Sequence, residues 1–480
     1  MFRVMGVGRL GSIGLWLLIL MLCVRQLTRH FSALVTPSAS EHERLLEGLH
    51  GKHLNPDWLS SVLQQAAQKG QQPLPSNDVA SLQVVLGTEK FWPQSQSAQL
   101  QLDLVGMKQP VYLYLKKVIA RDMPAKSAQA LRRDLSSNRN EARFYQEFSA
   151  EMRARGVPLL QAPLVQEDFS CLDTKIDGDE EEHLREGGML LLLECADEGF
   201  MQTSPLSFDQ AALSLSLLAN FHAAAWEDRD LLHKASNRLY ATGSYWMLDR
   251  RGRAELQQLK PIWKNYLEAF QSHAPDFLAQ PSIRMLAERL ERTAVWVAEQ
   301  LRPSAEEDFA TLMHGDPKAM NMFLPTIMAE NSKALIIDFQ WTGVGYGVAD
   351  VAMHLPHSVH DAALRDGGEE KLVKMYYNDL IRALEQRLPK PRLDAFTFDQ
   401  AWHLYRLAFV DYARMVMCNF FKGASPAAFQ AHAHRPNVGF LYRNVEASLH
   451  FLQQLDQHLR YVEELRGEQP VTTVEVSPDQ

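Results

Sequence analysis

The sequence is poor in cysteine. Its 480 residues include four, Cys23, Cys171, Cys195 and Cys418. None lies close enough to another to form a CxxC or zinc-binding pattern. Four cysteines in a chain of this length do not make a disulfide framework, so we expect a reducing, intracellular compartment.

Positive charge is also in short supply. The chain has 49 Lys and Arg against 58 Asp and Glu, a net charge of −9. It therefore lacks the basic footprint that nucleic-acid binding requires, and we expect no nucleic-acid partner. An acidic chain can still bind an anionic nucleotide, provided that a lysine or a metal ion supplies positive charge locally.

Acidic residues are absent before Glu41, where an uncharged apolar run occupies residues 10–24. This run is shorter than the ~20 residues that span a bilayer, and no small-residue cleavage site follows it directly. Arginines flank it on both sides. We expect a membrane anchor that leaves the rest of the chain in the cytosol. A cleaved signal, a mitochondrial transit peptide and a buried core helix are the alternatives.

Strand patterns and helix patterns occupy different parts of the chain. Residues 81–86, 98–104 and 111–118 predict neighbouring strands in antiparallel hairpins. Helices are predicted from Asn55 to about Gly70, from Arg132 to Met152, and from the capping box at Ser207 onward. A further buried strand is predicted at 189–195, and a strand–loop–strand region at 311–346. We therefore predict an α+β protein with a β-rich first part and a mostly helical second part.

A dense group of polar residues lies between His314 and Asn321, and a second aspartate, Asp338, ends an apolar strand. Phosphoryl transfer needs a base that orients the acceptor hydroxyl, ligands for bridging cations, and a lysine on the phosphates. Asp316 suits the first role. Asn321 and Asp338 offer the hard oxygen ligands that Mg²⁺ prefers, and Lys318 can reach a transferring phosphate as a point charge.

These motifs resemble those of the aminoglycoside phosphotransferase and choline kinase superfamily, and more narrowly its CHK-type, ecdysteroid-kinase-like branch. The pattern HGDxxxxN matches His314 to Asn321, and IDF matches Ile337 to Phe339. The resemblance covers about residues 55–460. Further matches occur in the family's order: Lys116 in a strand, ExxFY from Glu141 to Tyr145, LLLE from Leu191 to Glu194, FHA with Trp226 from Phe221, and DxA from Asp350.

The resemblance implies a protein-kinase-like two-lobed fold and an ATP- and Mg²⁺-dependent kinase. Such an enzyme moves the γ-phosphoryl group to a hydroxyl of a small organic molecule. Lys116 would contact the α- and β-phosphates and pair with Glu141, with Lys117, on the opposite face of the strand, as the fallback. Backbone groups of Glu194, Cys195 and Ala196 would bind the adenine edge.

On this basis the chain is divided into five segments. We predict a small antiparallel β-rich N-lobe that binds nucleotide and a mostly helical C-lobe for catalysis and acceptor binding. The segments are an anchor or targeting segment (1–32), a linker with an N-terminal helix (33–75), the N-lobe (76–196), the C-lobe (197–466) and a disordered tail (467–480).

One family feature is missing. The turn from Gly87 to Ser97, where a glycine-rich phosphate loop is expected, holds a single glycine, although Ser95 and Ser97 offer hydroxyls. This departure leaves a second hypothesis open, a membrane-tethered pseudokinase that binds nucleotide or a partner without catalysis. A protein kinase is disfavoured, because the motif has glycine where protein kinases have arginine and no Ala-Pro-Glu segment follows Asp338.

Other residues near the motifs are predicted to be structural. His314 should brace its loop, His222 should be a hydrogen-bonded core histidine, and Asp350 should anchor the loop that carries Asp338. The aromatic residues Trp341, Tyr346 and those of 405–421 belong to the core or line an acceptor pocket. The acceptor, whether choline-like, sterol-like or sugar-like, and the oligomeric state are left open.

Overall fold

The structure, a computed structural model, describes residues 44–68, 74–174, 178–329 and 332–468. The apolar run at 10–24 and nearly all of the predicted tail lie outside these ranges, so both stay predictions. Within the ranges, no helix combines the length and apolar character needed to cross a bilayer.

The N-lobe is built on one antiparallel sheet. Its strands are β1 Val79–Val84, β2 Lys90–Phe91, β3 Gln96–Leu104, β4 Val111–Ile119, β5 Leu164–Asp168 and β6 Gly188–Glu194. They are ordered β1-β3-β4-β6-β5, and β2 pairs with the same strand, β3, as β1 does. The short links between β1, β3 and β4 make the predicted hairpins.

One face of this sheet is covered by helix α1, Pro56–Gln68. Asn55 caps it, its side-chain oxygen accepting from Trp58 N at 2.9 Å. Leu59 and Leu63 pack in one apolar cluster with Leu100 and other leucines of the sheet. Burial of this apolar surface makes α1 part of the N-lobe core, whereas the sequence placed it in a separate linker segment.

The other face of the sheet packs on helix α2, Ala128–Glu147, which is followed by the short α3, Ser149–Ala154. The single helix predicted from Arg132 to Met152 is interrupted at Phe148, whose backbone is non-helical (φ −125°, ψ −35°) and whose side chain is fully buried. A five-residue helix, α4 Glu180–Leu184, precedes β6.

The C-lobe is mostly helical, as predicted, and the capping box at Ser207 is confirmed at the start of its first helix. Its helices are α5 Phe208–Ala225, α6 Arg229–Arg238, α7 Leu248–Arg251, α8 Leu259–Phe270, α9 Pro275–Leu278, α10 Pro281–Arg284, α11 Leu286–Gln300, α12 Val348–Ser358, α13 Asp361–Leu364, α14 Gly368–Leu384, α15 Lys390–Ala395, α16 Phe398–Met415, α17 Pro426–His432 and α18 Val445–Leu465. The fold is thus α+β, protein-kinase-like and two-lobed.

Five short strands of the C-lobe position the two motif loops. They are β7 Phe200–Met201, β8 Thr311–Met313, β9 Met322–Pro325, β10 Leu335–Ile336 and β11 Gly343–Gly345. β8 pairs with β11, and β9 lies between β10 and β7. The loop from β8 to β9 and the loop from β10 to β11 therefore emerge side by side, which confirms the predicted strand–loop–strand region.

Candidate active site

The loop that carries Asp316 is held by a buried carboxylate. Asp350, in the first turn of α12, accepts hydrogen bonds from His314 N (2.6 Å) and Gly315 N (2.9 Å). We expected Asp350 to anchor the loop of Asp338, which is wrong. The pairing of β8 with β11 brings the start of α12 against the end of β8, so Asp350 reaches the other loop.

Gly315 is the one position of this loop that requires glycine. Its φ is +82°, and a Cβ there would lie 2.2 Å from Trp341 O. A side chain would therefore be strained and would also collide with the backbone of the neighbouring loop. This close approach lets the two motif loops face one cleft.

His314 bridges the two loops, as its predicted bracing role requires. Its Nδ1 accepts from Asp316 N at 3.3 Å, and its Nε2 donates to Ile337 O at 2.9 Å. Burial lowers the pKa of His314, which favours the neutral ring that this arrangement needs. His222 is likewise a satisfied core histidine, bonded to Tyr376 (2.8 Å) and Asp350 (3.1 Å).

Asp316 lies at the cleft with Lys318 and Asn321 around it. Lys318 Nζ is 2.9 Å from Asp316 Oδ2. Asn321 Nδ2 donates to Asp316 O at 2.9 Å and lies 3.3 Å from Oδ2. Burial raises the pKa of Asp316, and Lys318 opposes that shift. The carboxylate is thus oriented by its own loop, with a cation beside it.

Asp338 projects from a backbone of φ +71°. The next residue, Phe339, stacks on Phe144 of α2 with ring centroids 3.7 Å apart. Asn140 of α2 donates to Phe339 O (3.1 Å) and Thr342 O (3.0 Å). Helix α2 of the N-lobe therefore holds the Asp338 loop directly. We did not predict the contacts of Asn140, because they join residues about two hundred positions apart.

Lys116 joins the two lobes electrostatically. Its Nζ lies 2.6 Å from Glu141 Oε2 and 3.5 Å from Asp338 Oδ1. Burial lowers the pKa of Lys116, but Asp338 and Glu141 together raise it above its ordinary value. Its neighbour Lys117 points away and donates to the backbone carbonyls of Arg44 and Glu47. The structure thus brings Lys116, and not the fallback Lys117, to Asp338.

Asp338 and Asn321 are the residues expected to hold Mg²⁺. Asp338 Oδ1 is buried and accepts no hydrogen bond, and its ion-pair partner is the Lys116 ammonium 3.5 Å away. Burial raises the pKa of Asp338, but Lys116 and Lys318 lower it overall. Across the described ranges, no group of three His, Cys, Asp or Glu side chains forms a preassembled metal site. Mg²⁺ in such sites uses one or two carboxylates plus substrate phosphates, which the Asp338 carboxylate fits.

The connector, residues 194–196 at the end of β6, is the segment predicted to bind adenine. Glu194 N donates to Gln161 O at 2.9 Å, and Glu194 Oε2 accepts from Gln161 N at 3.0 Å. The N–H of Glu194 is therefore used within the protein, and adenine binding by other backbone groups of Glu194, Cys195 and Ala196 stays a prediction. Cys195 and Ala196 follow Glu194, and Cys195 Sγ contacts Gln99 Nε2 at 3.5 Å.

A cavity of about 480 Å³ opens beside Asp316. Trp341, which stacks on Tyr240 with centroids 5.6 Å apart, forms one wall, and Phe420 forms part of another. Of the other predicted aromatics, Tyr405 is buried in the core. Asp316 is the sole carboxylate among the lining residues that the structure describes: Tyr245, Asp316, Lys318, Trp341, His357, Phe420, Lys422, Gly423, Ala424, Ala428, Phe429, His432, Asn437, Val438, Gly439 and Tyr442.

The two lobes and this cleft define a chain with a protein-kinase-like fold. The model of the ecdysteroid kinase-like family matches residues 102–387, more than half of the chain, and the chain belongs to that family. The predicted superfamily and branch are confirmed. A search of curated proteins finds no match.

Solved structures of small-molecule kinases are similar to the chain at low identity. The amicoumacin kinase hAmiN, solved with AMP-PNP, Ca²⁺ and Ami, is 11% identical over 84% of this chain and 93% of its own (TM-score 0.37). Choline kinase LicA from Streptococcus pneumoniae is 9% identical over 84% and 99% (TM-score 0.32). An aminoglycoside phosphotransferase from Streptomyces rimosus is 13% identical over 75% and 98% (TM-score 0.30). At these scores nothing about function follows from the likeness.

Proposed function

We propose that the protein is an ATP- and Mg²⁺-dependent kinase that transfers the γ-phosphoryl group to a hydroxyl of a small organic molecule. The observation that carries this proposal is the contact between Lys116 and Asp338 across the lobes, with Asp316 on the adjoining loop. A phosphate-binding cation, a metal-binding carboxylate and a base candidate thereby face one cleft, as phosphoryl transfer requires.

In this proposal each side chain has a defined task. Asp316 accepts the hydrogen bond of the acceptor hydroxyl and takes its proton as the new O–P bond forms, while the bond from the γ-phosphorus to the β–γ bridging oxygen breaks and ADP leaves. Lys116, fixed by Glu141, offsets charge on the α- and β-phosphates, and Lys318 offsets charge on the group in transfer. Asp338 and Asn321 would hold Mg²⁺, which neutralises the phosphate oxygens when bound.

The acceptor is proposed to enter the cavity beside Asp316. Aromatic walls such as Trp341 and Phe420 support an acceptor that presents apolar or ring surface to them. Lys422, exposed at the rim, leaves room for a polar or anionic substituent. Adenine is proposed to lie against Cys195 and Ala196, at the other end of the cleft.

The rival hypothesis is a pseudokinase scaffold. A scaffold does not need Asp316, Lys318, Asn321 and Asp338 together, and the retention of all four supports an enzyme. A thermal-shift measurement separates the enzyme from a scaffold that binds only a partner, because any chain that binds nucleotide is stabilised by saturating Mg²⁺-ATP. A scaffold that does not bind nucleotide is not.

The experiment that tests the proposal is an ATP-consumption screen of the full chain over hydroxyl-bearing metabolites. Choline-like, sterol-like and sugar-like alcohols form separate arms, and mass spectrometry identifies the phosphorylated product. Stabilisation by Mg²⁺-ATP together with a phosphorylated alcohol supports the kinase. Stabilisation without any product across all arms favours the pseudokinase.

A further inference from the structure

The segment from Gly87 to Ser97, where a glycine-rich loop was expected, is a hairpin held by several hydrogen bonds. Trp92 N donates to Ser95 O at 2.8 Å and closes its turn. Thr88 Oγ1 donates to Val85 O (2.6 Å) and accepts from Gln99 N (2.9 Å), which fixes the turn between β1 and β2. This hairpin is held by side-chain and backbone bonds that a flexible glycine loop does not have.

The hairpin has few backbone donors to offer a phosphate. In a glycine-rich loop, successive N–H groups turn toward the anion. Here the N–H of Trp92 is used within the turn, and Pro93 has none. With the N–H groups of these two positions excluded, a side-chain cation would add to the attraction of this hairpin for the nucleotide's phosphates.

The strand register shows which side chain faces the cleft. Lys90 of β2 is directly opposite Ser97 of β3, and Ser97 is directly opposite Lys116 of β4. Residues directly opposite each other in antiparallel strands project from the same face. Lys90 therefore shares the face of Lys116, two strands away, or about 10 Å between backbones.

The residues next to this row project from the opposite face of the sheet. Phe91 is opposite Gln96, and Gln96 is opposite Lys117, whose ammonium binds backbone carbonyls outside the cleft. A shift of one residue would thus move Lys90 away from the cleft. The turn bond from Trp92 N to Ser95 O holds β2 in the observed register.

Lys90 is also free to bind an anion. It is exposed, and among the described residues no carboxylate pairs with its ammonium group. Lys116, by contrast, is already held by Glu141 at 2.6 Å. Ser97, between the two lysines, is 1% exposed and its hydroxyl has no hydrogen-bond partner of good geometry.

The cleft face of the sheet has two ends. Gln99 contacts Cys195 of the connector, and two residues along β3 toward the hairpin lies the row of Ser97 and Lys116. A nucleotide with its base at the connector and its phosphates at Lys116 would have its outer phosphates under Lys90.

We propose that Lys90 binds the β- and γ-phosphates of the nucleotide from the hairpin side, opposite Lys116. A lysine side chain thereby does the work that backbone N–H groups do in a glycine-rich loop. This inference rests on the proposed function, because it adds one residue to the proposed nucleotide site.

The test compares Lys90→Met with Lys108→Met in the full chain. Lys108 is an exposed lysine in the turn at the far end of the same sheet, so its loss removes one charge without touching the hairpin. Binding of Mg²⁺-ATP, Mg²⁺-ADP and adenosine is measured by calorimetry. Lys90→Met is expected to bind ATP roughly tenfold more weakly, as loss of a charge-assisted phosphate contact predicts. ADP should lose less, and adenosine should be unaffected.

A conservative variant separates charge from shape. Lys90→Arg should keep ATP affinity within about threefold of the wild type, because it retains a cation on the same row. Equal ATP binding by Lys90→Met and Lys108→Met, with the wild type binding ATP, would overturn the inference alone. An equal loss of ATP and adenosine binding would also overturn it, since that pattern reports a disturbed hairpin. A wild-type chain that does not bind ATP would overturn the proposed function itself.

Discussion

Lys116 and Lys117 are neighbours on one strand, yet the two faces of the sheet give them opposite electrostatic characters. Lys116 lies against Glu141 and Asp338, and these carboxylates raise its pKa although burial lowers it. Lys117 is 1% exposed and donates to backbone carbonyls. Burial lowers its pKa to about 8. Both lysines are buried, so the opposite directions of their pKa shifts come from their partners, which are carboxylates for Lys116 and backbone carbonyls for Lys117.

The difference in pKa suits two different roles for the two lysines. Lys116 is proposed to bind phosphate, and Lys117 attaches a neighbouring segment to the sheet. A lysine that attracts phosphate must stay charged throughout the neutral pH range, and two carboxylates secure that for Lys116. Lys117 ties the segment around Arg44 and Glu47 to the outer face of the sheet. That task needs donors rather than charge.

The largest expected effect is the difference in kcat/KM between the variants of the two lysines. Lys116→Met should lower kcat/KM for ATP by roughly 10²- to 10³-fold, because a fixed cation on the phosphates is lost. Lys117→Met should stay within about threefold of the wild type. Steady-state kinetics on one acceptor measures both. Similar losses in the two variants would contradict the division of roles.

A smaller loss is expected when the partner of Lys116 loses its charge. Glu141→Gln keeps the side chain's shape but leaves Lys116 with Asp338 alone, 3.5 Å away. Because half of a buried pair is removed, we expect kcat/KM for ATP to fall roughly tenfold. A wild-type value of kcat/KM in this variant would mean that Glu141 does not position Lys116.

The third effect concerns stability and is expected for Lys117 alone. Lys117→Met leaves the carbonyls of Arg44 and Glu47 without their donor. Both hydrogen bonds are partly buried, and leaving such acceptors unsatisfied costs up to about 1–3 kcal/mol. Hydrogen exchange should show faster exchange in residues 44–54, with α2 and the C-lobe unchanged. Unchanged protection of 44–54 would show that Lys117 does not fasten this segment.

The smallest effect is a pH dependence of stability. Between about pH 8 and 10, folded Lys117 loses its proton while the unfolded lysine, with an ordinary pKa of 10.5, keeps it. The unfolded state then binds more protons, so the free energy of unfolding rises with pH, by at most about 1.4 kcal/mol per pH unit. Urea titrations at pH 7.5, 9 and 10 should show this rise in the wild type relative to Lys117→Met. Parallel pH profiles would contradict the lowered pKa.

The sequence predicted what is local or carried by motifs. Strands, the caps at Asn55 and Ser207 and the pairing of Lys116 with Glu141 follow from periodicity, side-chain chemistry and family resemblance. It did not predict the partner of Asp350, the clamp of Asn140 on the Asp338 loop or the docking of α1. These contacts depend on which strands pair and which helix meets which loop, and no local pattern encodes them. The sequence likewise did not predict which face of the sheet Lys90 occupies, because that face follows from the register of β2 against β3.

The central claim is phosphoryl transfer at Asp316, and Asp316→Asn tests it most directly. The amide keeps the shape of the side chain but cannot take a proton. In the full chain, the account predicts Mg²⁺-ATP binding within about threefold of the wild type and a loss of phosphorylated product of roughly 10³-fold. Product formation at the wild-type rate by Asp316→Asn would contradict the account.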